Sequence, residues 1–199
     1  MSADLSGRTV LLGVTGSIAA YKAAAVASAL ACRGAAVVTL MTRSAQEFIT
    51  PLTFETLTRH PVVTDLFGPR APDIEESRHI SLAEQADVLL IAPATANVIA
   101  KMANGITDDL LTCTAMATRA PILVAPAMNH TMYTHPATRR NVALLTDRGC
   151  RFIGPEEGRL ANGRVGLGRL AEPEAIVAAV CEVLQNRPSR SEPGGAVTA

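Results

Sequence analysis

The run Val88-Leu89-Leu90-Ile91-Ala92 contains no polar position. Successive side chains of a strand point to opposite faces, so a strand with water on one side must alternate. Five apolar residues in a row fit a strand covered on both faces, the situation of a parallel sheet between two layers of helices. Ile122-Leu123-Val124-Ala125 repeats the pattern, and Thr9 to Val14 and Ala36 to Met41 are two further aliphatic, β-branched runs. Between the first two strands lies the Ala-rich segment Ile18 to Arg33, which reads as a helix stopped by Gly34 at C′. Ser44 is placed to cap a helix starting at Ala45, Arg151 to Gly154 reads as a last short strand, and Pro173 to Gln185 as a final helix with Pro173 near N1.

Strands alternating with helices predict an α/β fold, a Rossmann-like (flavodoxin-like) αβα sandwich with a parallel sheet. Right-handed crossovers then put a ligand at the carboxyl ends of the strands. The 199 residues suit one domain, expected over residues 1–186. The stretch Arg187 to Ala199 is rich in Pro, Ser, Gly and Glu and is expected to be a disordered tail, and Asp65 to Ser77 a surface loop.

Charge narrows the partners. Lys plus Arg and Asp plus Glu both count 18, so the chain carries no basic footprint for nucleic acid or an anionic membrane. The apolar runs are far shorter than the roughly 20 residues of a membrane helix, and the first residues lack a signal-peptide core, so a cytoplasmic location is expected. A mean hydropathy of +0.24 points to apolar surface hidden in a permanent oligomer. Cys32, Cys113, Cys150 and Cys181 and the four histidines have no metal-ligand spacing, so no metal is expected.

Candidate chemistry clusters at the ends of the expected strands. Gly16, Ser17 and Ile18 follow the first strand and open the first helix, where a glycine lets backbone approach a phosphate and the helix start offers free N–H groups. The dinucleotide fingerprint G-x-G-x-x-G is absent, so one phosphate fits better than a pyrophosphate. The same residues read equally well as an ordinary helix start. Thr42, after the second strand, reaches the same phosphate or caps a helix. Thr95 and Asn97 follow the third strand, and Ala127, Met128 and Asn129 the fourth. Asn129 has both a donor and an acceptor for a carboxylate or amide. His79, before Ile80-Ser81-Leu82, is an acid or base if it faces the pocket and otherwise a structural histidine. Gly158 to Arg169 holds four glycines without hydrophobic periodicity and reads as a mobile lid or a plain surface loop.

Taken together, Gly16-Ser17-Ile18-Ala19-Ala20-Tyr21-Lys22, His79-Ile80, Ala92-Pro93-Ala94-Thr95-Ala96-Asn97, Asp108-Asp109-Leu110-Leu111 and Pro126-Ala127-Met128-Asn129 with Met132 resemble the homo-oligomeric flavin-containing cysteine decarboxylases. That family includes phosphopantothenoylcysteine decarboxylases and the peptidyl-cysteine decarboxylases of lantibiotic and related ribosomal-peptide pathways. The resemblance runs from about Thr9 to Pro173. It implies an FMN-binding protomer, trimers that assemble into dodecamers, and FMN at a contact between protomers. By the same resemblance Gly16, Ser17 and Thr42 hold the FMN phosphate, with Ile18, Ala127 and Met128 beside the cofactor. Thr95 and Asn97 lie against the flavin, His79 is the acid/base, and Asn129, Met132 and Asn162 meet the substrate, with the Gly-rich segment closing over it. The implied chemistry is coherent: oxidation of the thiol-bearing carbon creates an electron sink, and loss of CO₂ then leaves a stabilised enethiolate.

One departure directs the substrate reading. The coenzyme A branch carries Ala-Cys-Gly in the lid, whose cysteine helps return the reducing equivalents; here the segment reads Ala161-Asn162-Gly163. An amide cannot act as a thiol acid. The expectation is therefore oxidative decarboxylation of a C-terminal peptidyl cysteine to an aminoenethiol. The alternatives are phosphopantothenoylcysteine decarboxylation, which Pro126 to Asn129 favours, and a non-catalytic FMN-binding regulatory subunit, against which His79 and Asn129 speak. Flavin prenyltransferases share the fold but lack Pro-x-Met-Asn.

Overall fold

The computed structural model describes residues 3–67 and 77–186. The first-expected strands form as read: β1 (Thr9–Val14), β2 (Ala36–Met41), β3 (Val88–Ala94) and β4 (Ile122–Pro126), joined at the edge by a two-residue β5 (Arg151–Phe152). All pair in parallel, in the order β2-β1-β3-β4-β5. The expected flavodoxin-like sandwich is thus observed, with the order reversing beside β1, the place where such sheets open a crevice. The full-length burial of β3 explains its uninterrupted apolar run.

Helix α1 (Ala20–Ala31) starts two residues later than its apolar pattern and is followed by a turn in which Gly34 takes φ +89°. After β2 the structure departs from expectation. Thr42, not Ser44, is the capping residue, its hydroxyl accepting from Ala45 N, and it caps only a 3₁₀ turn, Arg43–Ala45. The helix proper, α2 (Pro51–Thr58), begins at Pro51, whose fixed φ suits N1. Next come α3 (Arg78–Gln85), α4 (Ala96–Asn104) and α5 (Leu110–Ala117), the last entered through an Asp109/Thr112 capping box. Two helices, α6 (His130–Thr134) and α7 (Pro136–Asp147), fill the connection from β4 to β5.

The core has two halves, one per sheet face. Val10, Leu12 and Val14 point toward α1, Phe54 and α8 (Pro173–Gln185); Leu11, Leu89 and Ile91 point toward α3, α4 and α5. Period-two alternation along each strand therefore feeds both layers. Among the described residues no helix is long and apolar enough to cross a membrane, and no metal-binding cluster exists. The expected tail at 187–199 lies outside the described residues, as does most of the expected surface loop.

The segment expected to be a mobile lid or a surface loop forms an antiparallel hairpin, β6 (Glu156–Arg159) and β7 (Val165–Arg169). Its pattern was hidden because the buried positions of β7 are glycines. A Cβ on Gly166 would sit 3.1 Å from His130 Cβ, and one on Gly168 (φ +147°) only 2.2 Å from Met128 O. Met128 N donates to Gly168 O at 3.0 Å, so β7 lies backbone to backbone on the loop after β4.

Candidate functional site

The carboxyl ends of β1, β3 and β4 meet the hairpin around a cavity of about 630 Å³. Three local devices hold these ends in register. Thr15, almost fully buried, donates its hydroxyl to Pro93 O at 2.7 Å and accepts from Thr95 N at 3.1 Å, fastening the turn after β1 to the turn after β3. Thr95 then caps α4 by accepting from Val98 N. Asn129 caps α6, its Oδ1 accepting from Thr131 N at 2.9 Å.

Gly16, Ser17, Ile18, Thr95, Ala127 and Met128 all line this cavity, together with Asn129, Met132 and Asn162. The site residues expected from the sequence are thus nine of the nineteen that line it. At the turn after β1, Ala19 N donates to the Ser17 hydroxyl and Ser17 N to Thr15 O, while among the described residues the N–H groups of Gly16 and Ile18 have no partner. Gly16 is also wedged against Ser44: a Cβ there would lie 2.5 Å from Ser44 Cβ. Free N–H groups on a side-chain-free approach fit a phosphate group. The wall beside them is apolar, with Ala96, Ala127 and Met128. The donor set and the apolar wall together suit FMN.

Three expected residues lie elsewhere. Thr42 lines a smaller, separate cavity with Asp108 and Asp109, although its neighbour Ser44 touches Gly16. Asn97 is exposed in the first turn of α4, where Thr95 has taken the capping role. His79 sits partly buried near the start of α3 and borders neither of these two cavities.

Other wall residues were not expected as individual site residues. Lys22 and Tyr21 come from α1, Arg159 and Leu160 from β6 and the turn that follows it, and Arg169 from the end of β7. Tyr21 and Lys22 stood inside a motif already singled out, but the arginines lie on the strands that the glycine pattern concealed. Lys22 pairs with Glu172 at 3.1 Å; Arg169 reaches Glu156 at 2.8 Å and Glu172 at 2.9 Å. The hydrogen bond from Arg169 holds the Glu156 carboxyl below its ordinary range. At the hairpin tip, Asn162 Oδ1 accepts from Arg164 N at 3.1 Å, and Gly163 takes φ +80°. Among the described residues no cysteine lines the cavity.

Comparison with known proteins bears on this arrangement. A family model described as Flavoprotein matches residues 1–185. The chain is 54% identical over 173 residues to the coenzyme A biosynthesis bifunctional protein CoaBC of Bacillus subtilis (strain 168), covering 87% of this chain and 42% of that protein. The chain therefore spans less than half the length of that relative. Among solved structures, a PPC decarboxylase mutant complexed with pantothenoylaminoethenethiol superposes with a TM-score of 0.81 at 34% identity, covering 90% of this chain and 99% of the other. The FMN-dependent cysteine decarboxylase SpaF superposes with a TM-score of 0.77 at 34% identity, covering 91% and 97%.

Proposed function

The chain belongs to the flavoprotein family, and from that premise we propose that it is an FMN-dependent carboxy-lyase acting on the cysteine carboxylate of phosphopantothenoylcysteine, in the cytoplasm. The observation that carries the substrate is the 54% identity to a coenzyme A biosynthesis protein, against 34% to SpaF. This reverses the preference for a peptide substrate drawn from Asn162 alone. A single side chain in a turn is weaker evidence than likeness along most of the chain.

In this reading the Gly16 and Ile18 N–H groups and the Ser17 hydroxyl receive the FMN phosphate, and Thr95, Ala127 and Met128 border the ring system. Bound FMN supplies a two-electron acceptor for the carbon that carries the thiol. Asn129 holds the substrate carboxylate through its amide N–H, while its Oδ1 is kept oriented by Thr131 N. The hairpin and Met132 cover the site and exclude water. CO₂ leaves once an electron sink lies next to the carboxylate-bearing carbon, and net loss of CO₂ alone requires the same two electrons, with two protons, to be returned to the resulting enethiol.

His79 needs a different account, since it lies outside its own chain's cavity. We propose that protomers associate, as trimers that build dodecamers, so that His79 of one protomer moves a proton at the cavity of the next. The exposed Ile18, Tyr21 and Met132 at the rim, and Ile80 beside His79, are the apolar surface such a contact would cover. Asn97 would reach bound FMN across the same contact, and Thr42 within its own chain, from the turn whose Ser44 touches Gly16.

A second reading rests on Asn162. With no thiol in the cavity wall among the described residues, decarboxylation that ends at the oxidised enethiol, as on a peptidyl cysteine, is the chemistry this reading assigns. Mass spectrometry of the protein incubated aerobically with phosphopantothenoylcysteine and with a Cys-terminated peptide separates the two. Loss of CO₂ alone from the former supports the first reading. Loss of CO₂ plus two hydrogens from the peptide, with the pantothenoyl compound untouched, replaces it by the second.

A further inference from the structure

We propose that Arg159 is the residue by which this chain recognises the phosphate monoester at the far end of its substrate, and so prefers phosphorylated to unphosphorylated pantothenoyl and peptide carboxylates. The inference rests on the decarboxylase reading above and names the specificity device of that same cavity.

The wall is electrically lopsided. Lys22, Arg159 and Arg169 line it, and among the described residues no Asp or Glu does, in a chain whose formal net charge is zero. A cleft of one sign concentrates ligands of the other. Two of the three cations already have counter-ions behind the wall: Glu172 holds Lys22, and Glu156 and Glu172 together hold Arg169. Arg159 is exposed and, among the described residues, has neither an ion pair nor a hydrogen bond through its side chain. Its guanidinium is a planar fork of donors that matches phosphate oxygens bidentately, and no carboxylate has to be displaced to use it.

Placement separates this cation from the other anion receptors. Arg159 pairs with Val165 across the hairpin, whereas Gly168 is the point at which β7 rests on Met128. Three residues of strand set these positions about 10 Å apart, at roughly 3.3 Å per residue. The substrate carboxylate is assigned to Asn129, at the docked end, and the FMN phosphate to the N–H groups at Gly16 and Ile18, on α1. Arg159 is at the opposite end of the hairpin. The substrate has the same polarity, with a carboxylate at one end of the pantothenoyl chain and a phosphate at the other. Either FMN or substrate could bring a phosphate monoester to Arg159; its seat on the hairpin and not on the β1 turn favours the substrate.

The test compares wild type, Arg159→Met and Arg159→Lys, all as FMN-loaded holoprotein. Measurements are KM for phosphopantothenoylcysteine and pantothenoylcysteine, calorimetric binding of phosphopantothenate and pantothenate, and FMN affinity by fluorescence. Arg159→Met should raise KM and weaken phosphopantothenate binding by about tenfold or more, as loss of a charge-assisted contact implies. The unphosphorylated pair and FMN affinity should stay unchanged, and Arg159→Lys should recover part of the loss. Equal losses for phosphorylated and unphosphorylated ligands, or a fall in FMN affinity instead, would overturn the assignment while leaving the decarboxylase reading intact. Failure of the wild type to turn over phosphopantothenoylcysteine would overturn both.

Discussion

Lys22 Nζ lies 3.1 Å from Glu172 Oε2, which joins the first helix to the cap of the last. The other oxygen of that carboxylate takes Arg169 at 2.9 Å, and Arg169 reaches back to Glu156 at 2.8 Å. Glu156 Oε1 in turn accepts from Glu172 N at 3.2 Å. Both ends of the hairpin are therefore fastened to the helical layer by one charge network beside the cavity. Its tip, by contrast, is held by its own turn.

Acid should loosen this fastening. The Glu156 carboxyl is held below its ordinary value of 4.5 by the Arg169 hydrogen bond. A depressed carboxyl contributes stability that is present above the unfolded value and lost as pH falls through the folded one. Hydrogen exchange of the amides from 156 to 169, corrected for intrinsic rate, should stay constant from neutral pH to about 4.5 and speed up below it. Partly exposed pairs contribute about 1 kcal/mol or less each, so the effect should remain local. Protection that does not change below that pH would remove the network from the anchoring role.

Gly168→Ala should detach the hairpin. The added Cβ would meet Met128 O at 2.2 Å in a φ region that disfavours any side chain. We expect a stability loss of about 1–3 kcal/mol by chemical denaturation, at the scale of strained backbone positions. The hairpin amides should lose protection first. A variant of wild-type stability would mean that the loop after β4 yields easily.

Asn129→Asp isolates charge from structure. Aspartate caps a helix as well as asparagine does, so α6 should survive. The new carboxylate removes the amide donor and repels the substrate's own carboxylate. Turnover should fall by about a hundredfold or more, as for a lost contact to a charged group compounded by repulsion, with circular dichroism unchanged. Unaltered KM and kcat would dismiss Asn129 as the carboxylate receptor.

His79→Asn should retain FMN, read from the flavin absorbance, and abolish CO₂ release. If His79 serves a neighbouring protomer, mixing it with Asn129→Asp protein under subunit exchange should regain part of the activity, because some cavities then combine an intact His79 with an intact Asn129. No recovery in exchanged mixtures would place His79 in its own chain's chemistry or outside catalysis.

Asn162→Cys tests the tip. Asn162 now spends its Oδ1 on Arg164 N, and a thiol gives up that turn contact while adding a titratable hydrogen. The fraction of product released as CO₂ loss alone should rise relative to CO₂ plus two hydrogens. An unchanged product ratio would show that the tip takes no part in returning the electrons.

The layers of this protein were legible because their signal is local. An unbroken apolar run such as Val88 to Ala92, short and bounded by turn residues, fits a strand buried on both faces. The strand-end residues Gly16, Ser17, Thr95 and Asn129 were legible for the same reason, since in a parallel sheet a polar or glycine residue just after a strand falls at the ligand edge. Helix starts were less so: Thr42 and Ser44 offer equivalent hydroxyls, and only the backbone path selects Thr42.

What local pattern could not supply is whatever depends on a partner distant in sequence. The hairpin hides its buried face in Gly166 and Gly168, which are buried because His130 and Met128 press on them, not because they are apolar. Lys22, Arg159 and Arg169 become one wall only when α1 and the hairpin meet, and their differing charge balance follows from where Glu156 and Glu172 fall. Sequence alone determined the sheet, its layers and the edge at which the cavity opens, since hydrophobic periodicity is set residue by residue. Tertiary structure decided which charges face that cavity, since Coulomb energy depends on separation in space and not along the chain.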